Sequence, residues 1–360
     1  MGDRRLGITS TGYALGAIER PNSWWPEEIL ESWKPALAKR KAGLEAALPQ
    51  TQDPQRRRVM ELMLAGADDP FIGIKTRPIH DPTLPAIDLE LLAANDALTR
   101  SGVRREDIGL LVSESFYPDL LATNLACSLH ERLQLPRTCF SFGMEGASNS
   151  FFHQLAIAEA YIVSGRARHA LIVQSTAVSR LLPQSFDYSG WFGDMATAFV
   201  VSAVEDGSGV YAITHITDGS MQGTLLAGTP GKQWHEGGPS VLYTSYAVRG
   251  RMFEDLVGGA VEVGGNLFAD VSWKPDDIDF YACHQGFTWM RQVTQDVLGM
   301  NRARSFDTFS WTGNNAACSV PIQLALAERE GVLRPGDKVV IWGGGSGITR
   351  AAVAVRWRAS

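Results

Sequence analysis

The chain has 360 residues, 45% of them hydrophobic and 20% charged, which is enough to bury a large core and argues against a disordered polypeptide. Its net charge is -6 and its basic residues are scattered apart from Arg56-Arg57-Arg58, so it offers no field for nucleic acid and at most a local patch for an acidic partner protein. No stretch reaches the ~20 apolar residues that a membrane-crossing helix needs, and a soluble, cytoplasmic protein is expected.

Met1 to Gly16 alternates as a strand does, with Leu6 to Tyr13 at its centre, and lacks the basic stretch and apolar run of a secretory signal. Residues 23–69 open with Trp24-Trp25-Pro26-Glu27-Glu28, a helix start with proline and acidic residues in its first turn. That segment is open to three roles: a cover over a substrate entrance, a contact with a partner subunit, or a solvent-facing excursion. A helix of 3.6 periodicity follows over Ile87 to Ser101, then a strand over Ile108 to Ser113, a helix over Ser150 to Ser164, and strands over Ala170 to Gln174 and Thr197 to Val204.

Val204-Glu205-Asp206-Gly207-Ser208-Gly209 is polar and glycine-rich and reads as a turn joining two halves, 1–206 and 207–360. Beyond it come a strand over Val210 to Ile216, a helix over Glu254 to Val271, a strand over Phe280 to Cys283, a helix over Val320 to Glu330, and strands over Val339 to Trp342 and Ala351 to Trp357. The alternation predicts an α/β fold whose sheets are covered by helices. Cys127, Cys139, Cys283 and Cys318 form no Cys-x-x-Cys pair and are expected to be reduced and buried, with no metal and no cofactor.

Three distant segments together supply a nucleophile, a base and an amide donor: Gly146-Ala147-Ser148-Asn149, Cys283-His284-Gln285 and Gly313-Asn314-Asn315-Ala316-Ala317. Ser148 precedes a helix, whose free N–H groups and dipole favour a developing anion, and Gly146 and Ala147 suit a tight turn. His284 ends a strand and is the natural base for the Ser148 proton, because a free serine hydroxyl is a weak nucleophile and imidazole titrates near neutrality. Asn314 and Asn315 both offer an amide that can donate to an oxyanion without changing charge. Gly343-Gly344-Gly345-Ser346-Gly347 follows a strand but lacks the lysine and threonine of a phosphate loop.

These segments, in this order, resemble the β-ketoacyl-ACP synthase III branch of the thiolase superfamily. The likeness extends to Asp107-Ile108-Gly109-Leu110-Leu111-Val112, Cys139 to Gly165, Phe192-Gly193-Asp194, Asp277-Ile278-Asp279, and Pro335-Gly336-Asp337 to Arg356. It implies an internally duplicated thiolase fold of five layers, αβαβα, and a homodimer. Asn314, rather than Asn315, would donate to the thioester carbonyl and to the enolate formed on decarboxylation. The N–H groups of Ser148 and Ser346 would form an oxyanion hole, while Asp194 would support the fold around the site.

Three departures stand out. Ala147-Ser148-Asn149-Ser150-Phe151 puts a hydroxyl where the family has a thiol, Gly286-Phe287-Thr288-Trp289 replaces a stretch that serves pantetheine and carrier docking, and no aromatic and basic pair for an adenine is apparent near Phe71. Ala122 stands where the family often places a bulky aromatic that shortens the acyl pocket, and Trp191, Trp289 and Trp311 are candidates to line that pocket. The sequence reading therefore puts first an acyltransferase that loads Ser148 from an acyl-ACP or acyl-CoA thioester and passes the acyl group to a hydroxyl or amine of a small molecule in secondary metabolism. Decarboxylative condensation with malonyl-ACP and a catalytically silent partner subunit are the alternatives.

Overall fold

A computed structural model describes residues 4–120, 122–205, 207–243 and 256–358. The first part of the chain runs β1 (Arg5–Leu15), β2 (Ile18–Pro21), α1 (Glu27–Ala47), α2 (Pro54–Ala65), β3 (Thr76–Ile79), α3 (Ile87–Ser101), β4 (Ile108–Phe116), α4 (Leu125–Arg132), β5 (Phe140–Gly143), α5 (Ser150–Val163), β6 (His169–Thr176) and β7 (Met195–Val204). The second runs β8 (Gly209–Thr217), β9 (Leu226–Gly228), β10 (Val241–Tyr243), α6 (Leu256–Asp270), β11 (Phe280–Cys283), α7 (Met290–Val297), α8 (Phe309–Thr312), α9 (Ser319–Arg329), β12 (Lys338–Gly345) and β13 (Thr349–Arg356).

Two mixed sheets carry the architecture, in the orders β1-β7-β6-β4-β5 and β11-β12-β13-β8. In the first, β4 runs parallel to β5 and β6, while β6 with β7 and β7 with β1 are antiparallel. In the second, β11 is parallel to β12, and β12 with β13 and β13 with β8 are antiparallel. The sheets thus repeat one pattern, with β4, β6, β7 and β1 answered by β11, β12, β13 and β8. The edge strand β5 has no counterpart among the described residues.

Period-two alternation decides which side chains each layer receives. From β4, Leu110 and Val112 face inward onto Phe151, Phe152 and Leu155 of α5, where Val320 and Leu324 of α9 and Ile341 and Val353 of the second sheet close the same core. Leu111 faces outward onto Leu89, Ala93 and Ala97 of α3. On the other outer surface Tyr281, Val340 and Trp342 meet Ala260, Val263 and Leu267 of α6 and Val293 of α7. The result is helix, sheet, helix, sheet, helix, with α5 and α9 enclosed between the sheets. No described helix is long and apolar enough to cross a membrane.

All eight expected strands and four expected helices appear with small shifts at their ends. Helix α3 stops at Ser101 because Gly102 takes the left-handed conformation, φ 64°. The 206 boundary and the helix start at 254–255 lie outside the described residues. The cysteine expectation needs a correction, since Cys127 is exposed on α4 while the other three thiols are buried. Residues 23–69 form α1 and α2, which are largely exposed but anchored to the body through a few buried side chains. Trp25 and Trp33 pack with Phe71, Ile74 and Phe309, and Val59 of α2 joins the outer core of the second sheet.

Candidate active site

Ser148 is half-buried in a single 3-10 turn, Ala147–Asn149, that leads directly into α5. Ala147 has φ 49°, a left-handed backbone that L side chains adopt at a cost of about 1 kcal/mol or more. Local bonds hold it there. The Ala147 N–H donates to Glu145 Oε1 at 2.6 Å, Ser150 Oγ donates to the Ala147 carbonyl at 2.9 Å, and the Asn149 N–H reaches the Gly146 carbonyl at 3.1 Å.

The end of β12 lies against this turn, and glycine is what permits it. A Cβ on Gly345 would stand 2.9 Å from the Asn149 nitrogen and from the Gly146 oxygen, and one on Gly343 would meet the Phe152 ring at 2.3 Å. Ser346, the next residue, therefore begins the β12–β13 turn beside Ser148. Its hydroxyl donates to the Leu225 carbonyl at 3.0 Å. The 3-10 turn Ala316–Cys318, two residues past Asn314, packs on the Ser148 turn from the other side.

His284 follows β11, with its N–H bonded to the Trp342 carbonyl at 3.0 Å. The ring is buried, its Nδ1 has no hydrogen-bond partner among the described residues, and burial lowers its pKa to about 4. A neutral imidazole is therefore the resting form at neutral pH, as a general base requires. Gln285 anchors this corner: its side-chain oxygen accepts from the N–H groups of Thr308 and Phe309 at 3.0 and 3.1 Å, and its own N–H donates to Ser319 Oγ at 2.9 Å.

Asn314 and Asn315 separate cleanly in the structure. Asn315 is buried and spends its amide on the carbonyls of Gly193 and Thr312, at 3.2 and 3.0 Å. Asn314 is half-buried and uses its Oδ1 to accept the Ala316 N–H at 3.0 Å, which leaves Nδ2 to donate elsewhere. A Cβ built on Gly286 would lie 3.5 Å from His284 Nε2 and 3.7 Å from Asn314 Nδ2, so both nitrogens border one small space. The Asn314 backbone is fixed by Trp191 and Gly193, through bonds of 2.8 and 3.3 Å.

The remaining candidates scatter. Trp191 sits beside Asn314, with its indole N–H on the Pro70 carbonyl at 2.8 Å and its ring 5.9 Å from that of Phe287. Trp289 is buried, stacks on Phe287 at 5.3 Å and belongs to the outer core of the second sheet. Trp311 is half-buried on α8, and Ala122 is exposed in a loop that Asn124 ties to β5. Asp194 is fully buried and accepts from the N–H groups of His80 and Ser179 at 3.0 and 3.1 Å, a scaffolding arrangement.

Two residues near Ser148 escaped the sequence reading. Glu114 follows Leu110 and Val112 at the next inward position of β4, and Tyr117 comes just after that strand. Burial raises the Glu114 carboxyl well above the usual range and the Tyr117 hydroxyl with it, and the Glu145 charge pushes both the same way. The signal was present, since a lone carboxylate follows Leu110 and Val112 in the inward apolar series of β4.

The layers and the repeated sheets define a thiolase-fold protein, and the sequence carries the same relationship further. Residues 142–219 match the family model of 3-oxoacyl-[acyl-carrier-protein (ACP)] synthase III, and residues 268–357 match that of its C-terminal part. The β-ketoacyl-[acyl-carrier-protein] synthase III of Sphingopyxis alaskensis is 33% identical over 290 residues, 79% of this chain and 88% of that protein. The enzyme of the same name from Rhizorhabdus wittichii is 29% identical over the same shares. Among solved structures, 3-oxoacyl-(acyl carrier protein) synthase III of Pseudomonas aeruginosa superposes with a TM-score of 0.77 at 24% identity, over 99% of each chain. The priming β-ketosynthase of a polyketide pathway gives 0.79 at 20%, over 99% of this chain and 98% of that one. The chain belongs to the β-ketoacyl-ACP synthase III family.

Proposed function

We propose that the protein loads an acyl group from an acyl-CoA or acyl-ACP thioester onto Ser148 and condenses it with malonyl-ACP, priming a growing chain. The Ser148 oxygen attacks the thioester carbon while His284 takes its proton, and the thiol leaves with that proton. Malonyl-ACP then loses CO2. The resulting enolate carbon attacks the acyl ester, forming the C–C bond and breaking the ester C–O bond, and the Ser148 oxygen regains a proton drawn from solvent through His284. The N–H groups of Ser148 and Ser346 stabilise the tetrahedral oxyanions, and once His284 has returned to its Nε2–H tautomer it donates with Asn314 to the enolate oxygen.

One observation carries this reading: His284 Nε2 and Asn314 Nδ2 border the same space at Gly286. Acyl transfer by itself needs a base, whereas an enolate needs two donors converging on one oxygen. The names of the relatives favour condensation as well, so it displaces the transfer reading from first place.

Ser148 keeps a second reading alive. An oxyester is a poorer acyl donor to carbon than a thioester is, and this favours passage of the acyl group to a hydroxyl or amine of a small molecule, as in secondary metabolism. Incubation with a labelled acyl thioester and malonyl-ACP, with and without an added amine or alcohol, separates the two. CO2 release matching product supports condensation; acylated acceptor without CO2 supports transfer. No adduct on Ser148 with any thioester would leave a silent partner subunit.

The functional unit is proposed to be a homodimer. Strand β5 ends its sheet with an edge that pairs with no other strand among the described residues, and Phe140 stands exposed on it, its ring stacked at 5.7 Å on the half-buried Tyr161 of α5. A second copy adding its own β5 would bury both.

A further inference from the structure

At the end of β4, Glu114 is 2% exposed and neither carboxyl oxygen has a hydrogen-bond partner among the described residues. The Ser150 hydroxyl approaches it, but that hydroxyl already donates to the Ala147 carbonyl. Three residues on, the buried Tyr117 hydroxyl is likewise unpartnered among the described residues. Its ring packs with Val178, Leu182, Phe192 and Leu242, and Phe192 is the residue that bridges to Asn314. Two buried groups, the Glu114 carboxyl and the Tyr117 hydroxyl, therefore lie close to each other, the first beside Ser150 at the start of α5 and the second against Phe192, which bridges to Asn314. Core polar groups are normally satisfied within the fold, and orphaned ones beside a reactive serine imply a ligand that satisfies them.

We propose that Glu114 and Tyr117 receive a neutral oxygen function, a hydroxyl or keto group, carried by the acyl chain of the donor thioester. This rests on the reading of Ser148 as the acyl acceptor, and it makes the substrate class an oxygenated acyl group instead of a plain alkyl one. A carboxyl whose burial favours its neutral form, and a phenol, can each give one hydrogen bond and take another, which matches a neutral oxygen and leaves an alkyl chain without a partner. A site built to hold such a group discriminates against the analogue lacking it, because the protein's own polar atoms are then left unpaired.

The test is equilibrium binding to Ser148→Ala protein, where no acyl transfer can intervene. Hexanoyl-, 3-hydroxyhexanoyl-, 3-oxohexanoyl- and 5-hydroxyhexanoyl-pantetheine are titrated by calorimetry. At least one oxygenated chain should bind about tenfold or more tightly than hexanoyl. Adding Glu114→Leu should erase that preference, Glu114→Gln should retain most of it, and Tyr117→Phe should reduce it while hexanoyl affinity stays unchanged. Equal affinities across the panel, or a preference that survives both Glu114→Leu and Tyr117→Phe, overturns the inference. A clear preference in binding together with no adduct on wild-type Ser148 would support this subsite and sink the acyl-enzyme reading by itself.

Discussion

Ala147-Ser148-Asn149 and Ala316-Ala317-Cys318 occupy equivalent places in the two halves. Each is a 3-10 turn entered through an alanine with left-handed φ, 49° and 46°, and each delivers the chain into a helix of the central layer. In the first turn the middle residue is a half-buried serine with glycines of β12 pressed against it; in the second it is a buried alanine, and Cys318 hands its thiol to the Gln174 carbonyl at 3.3 Å. Backbone strain at Ala147 therefore belongs to the fold and cannot by itself mark a nucleophile. What separates the turns is the side chain at one position and the close approach of a second backbone.

The comparison breaks most sharply at Ser148. Ser148→Ala should abolish the covalent acyl adduct in intact-protein mass spectrometry and cut turnover by about 10⁴-fold or more. A residual adduct on another residue would move the nucleophile elsewhere. Next in size, Gly345→Ala forces a Cβ to 2.9 Å from the backbone of Gly146 and Asn149, and loading should fall about 100-fold with about 1–3 kcal/mol of stability lost to overpacking. Unchanged loading kinetics would show that the contact of β12 with the turn is incidental.

His284 gives a pH signature that the second turn lacks. Its folded pKa is depressed to about 4, so between the unfolded value near 6.5 and that value the unfolded chain binds the extra proton. Stability from this group is complete above about pH 6.5 and is lost as pH falls, at about 1.4 kcal/mol per unit, or about 3 kcal/mol over the window. Urea midpoints measured from pH 7.5 to 4.5 should fall more steeply for wild type than for His284→Gln, and equal slopes would refute the buried neutral ring. The smallest effect is expected from Ala317→Ser, which places a hydroxyl at the equivalent position of the other half. It should cost about 1–2 kcal/mol in thermal unfolding and create no second acylation site. Labelling there would mean that the fold alone activates a serine.

Long periodic elements were legible because their pattern repeats over several turns: α3, α5 and α9 lie within a residue of expectation at each end. Strands β2, β3, β5, β9 and β10 were not, since three or four residues are too few to show a period; β11, just as short, stood out as the unbroken apolar run Phe280 to Cys283. The site was legible as three segments and not as a geometry. The resemblance puts Asn314 ahead of Asn315 by motif order alone, whereas the carbonyls of Gly193 and Thr312 that occupy the Asn315 amide appear only in the fold. Glu114 was passed over because one carboxylate in a strand reads as an edge residue until its neighbours are seen to be core. Residues 23–69 left three roles open, and Trp33 hydrogen-bonding the Gln184 carbonyl and Arg58 pairing with Asp296 at 2.6 Å show that the insertion clasps both halves.

The enclosed pair α5 and α9 has a consequence for engineering. Each helix comes from one half of the gene but presents apolar side chains to both sheets. A polypeptide severed between β7 and β8 would yield two fragments, each with a helix bare on its far side, so neither should persist alone. Produced together they should clasp into one particle, and that opens a route to chimeras whose Ser148-bearing and His284-bearing parts are drawn from different relatives.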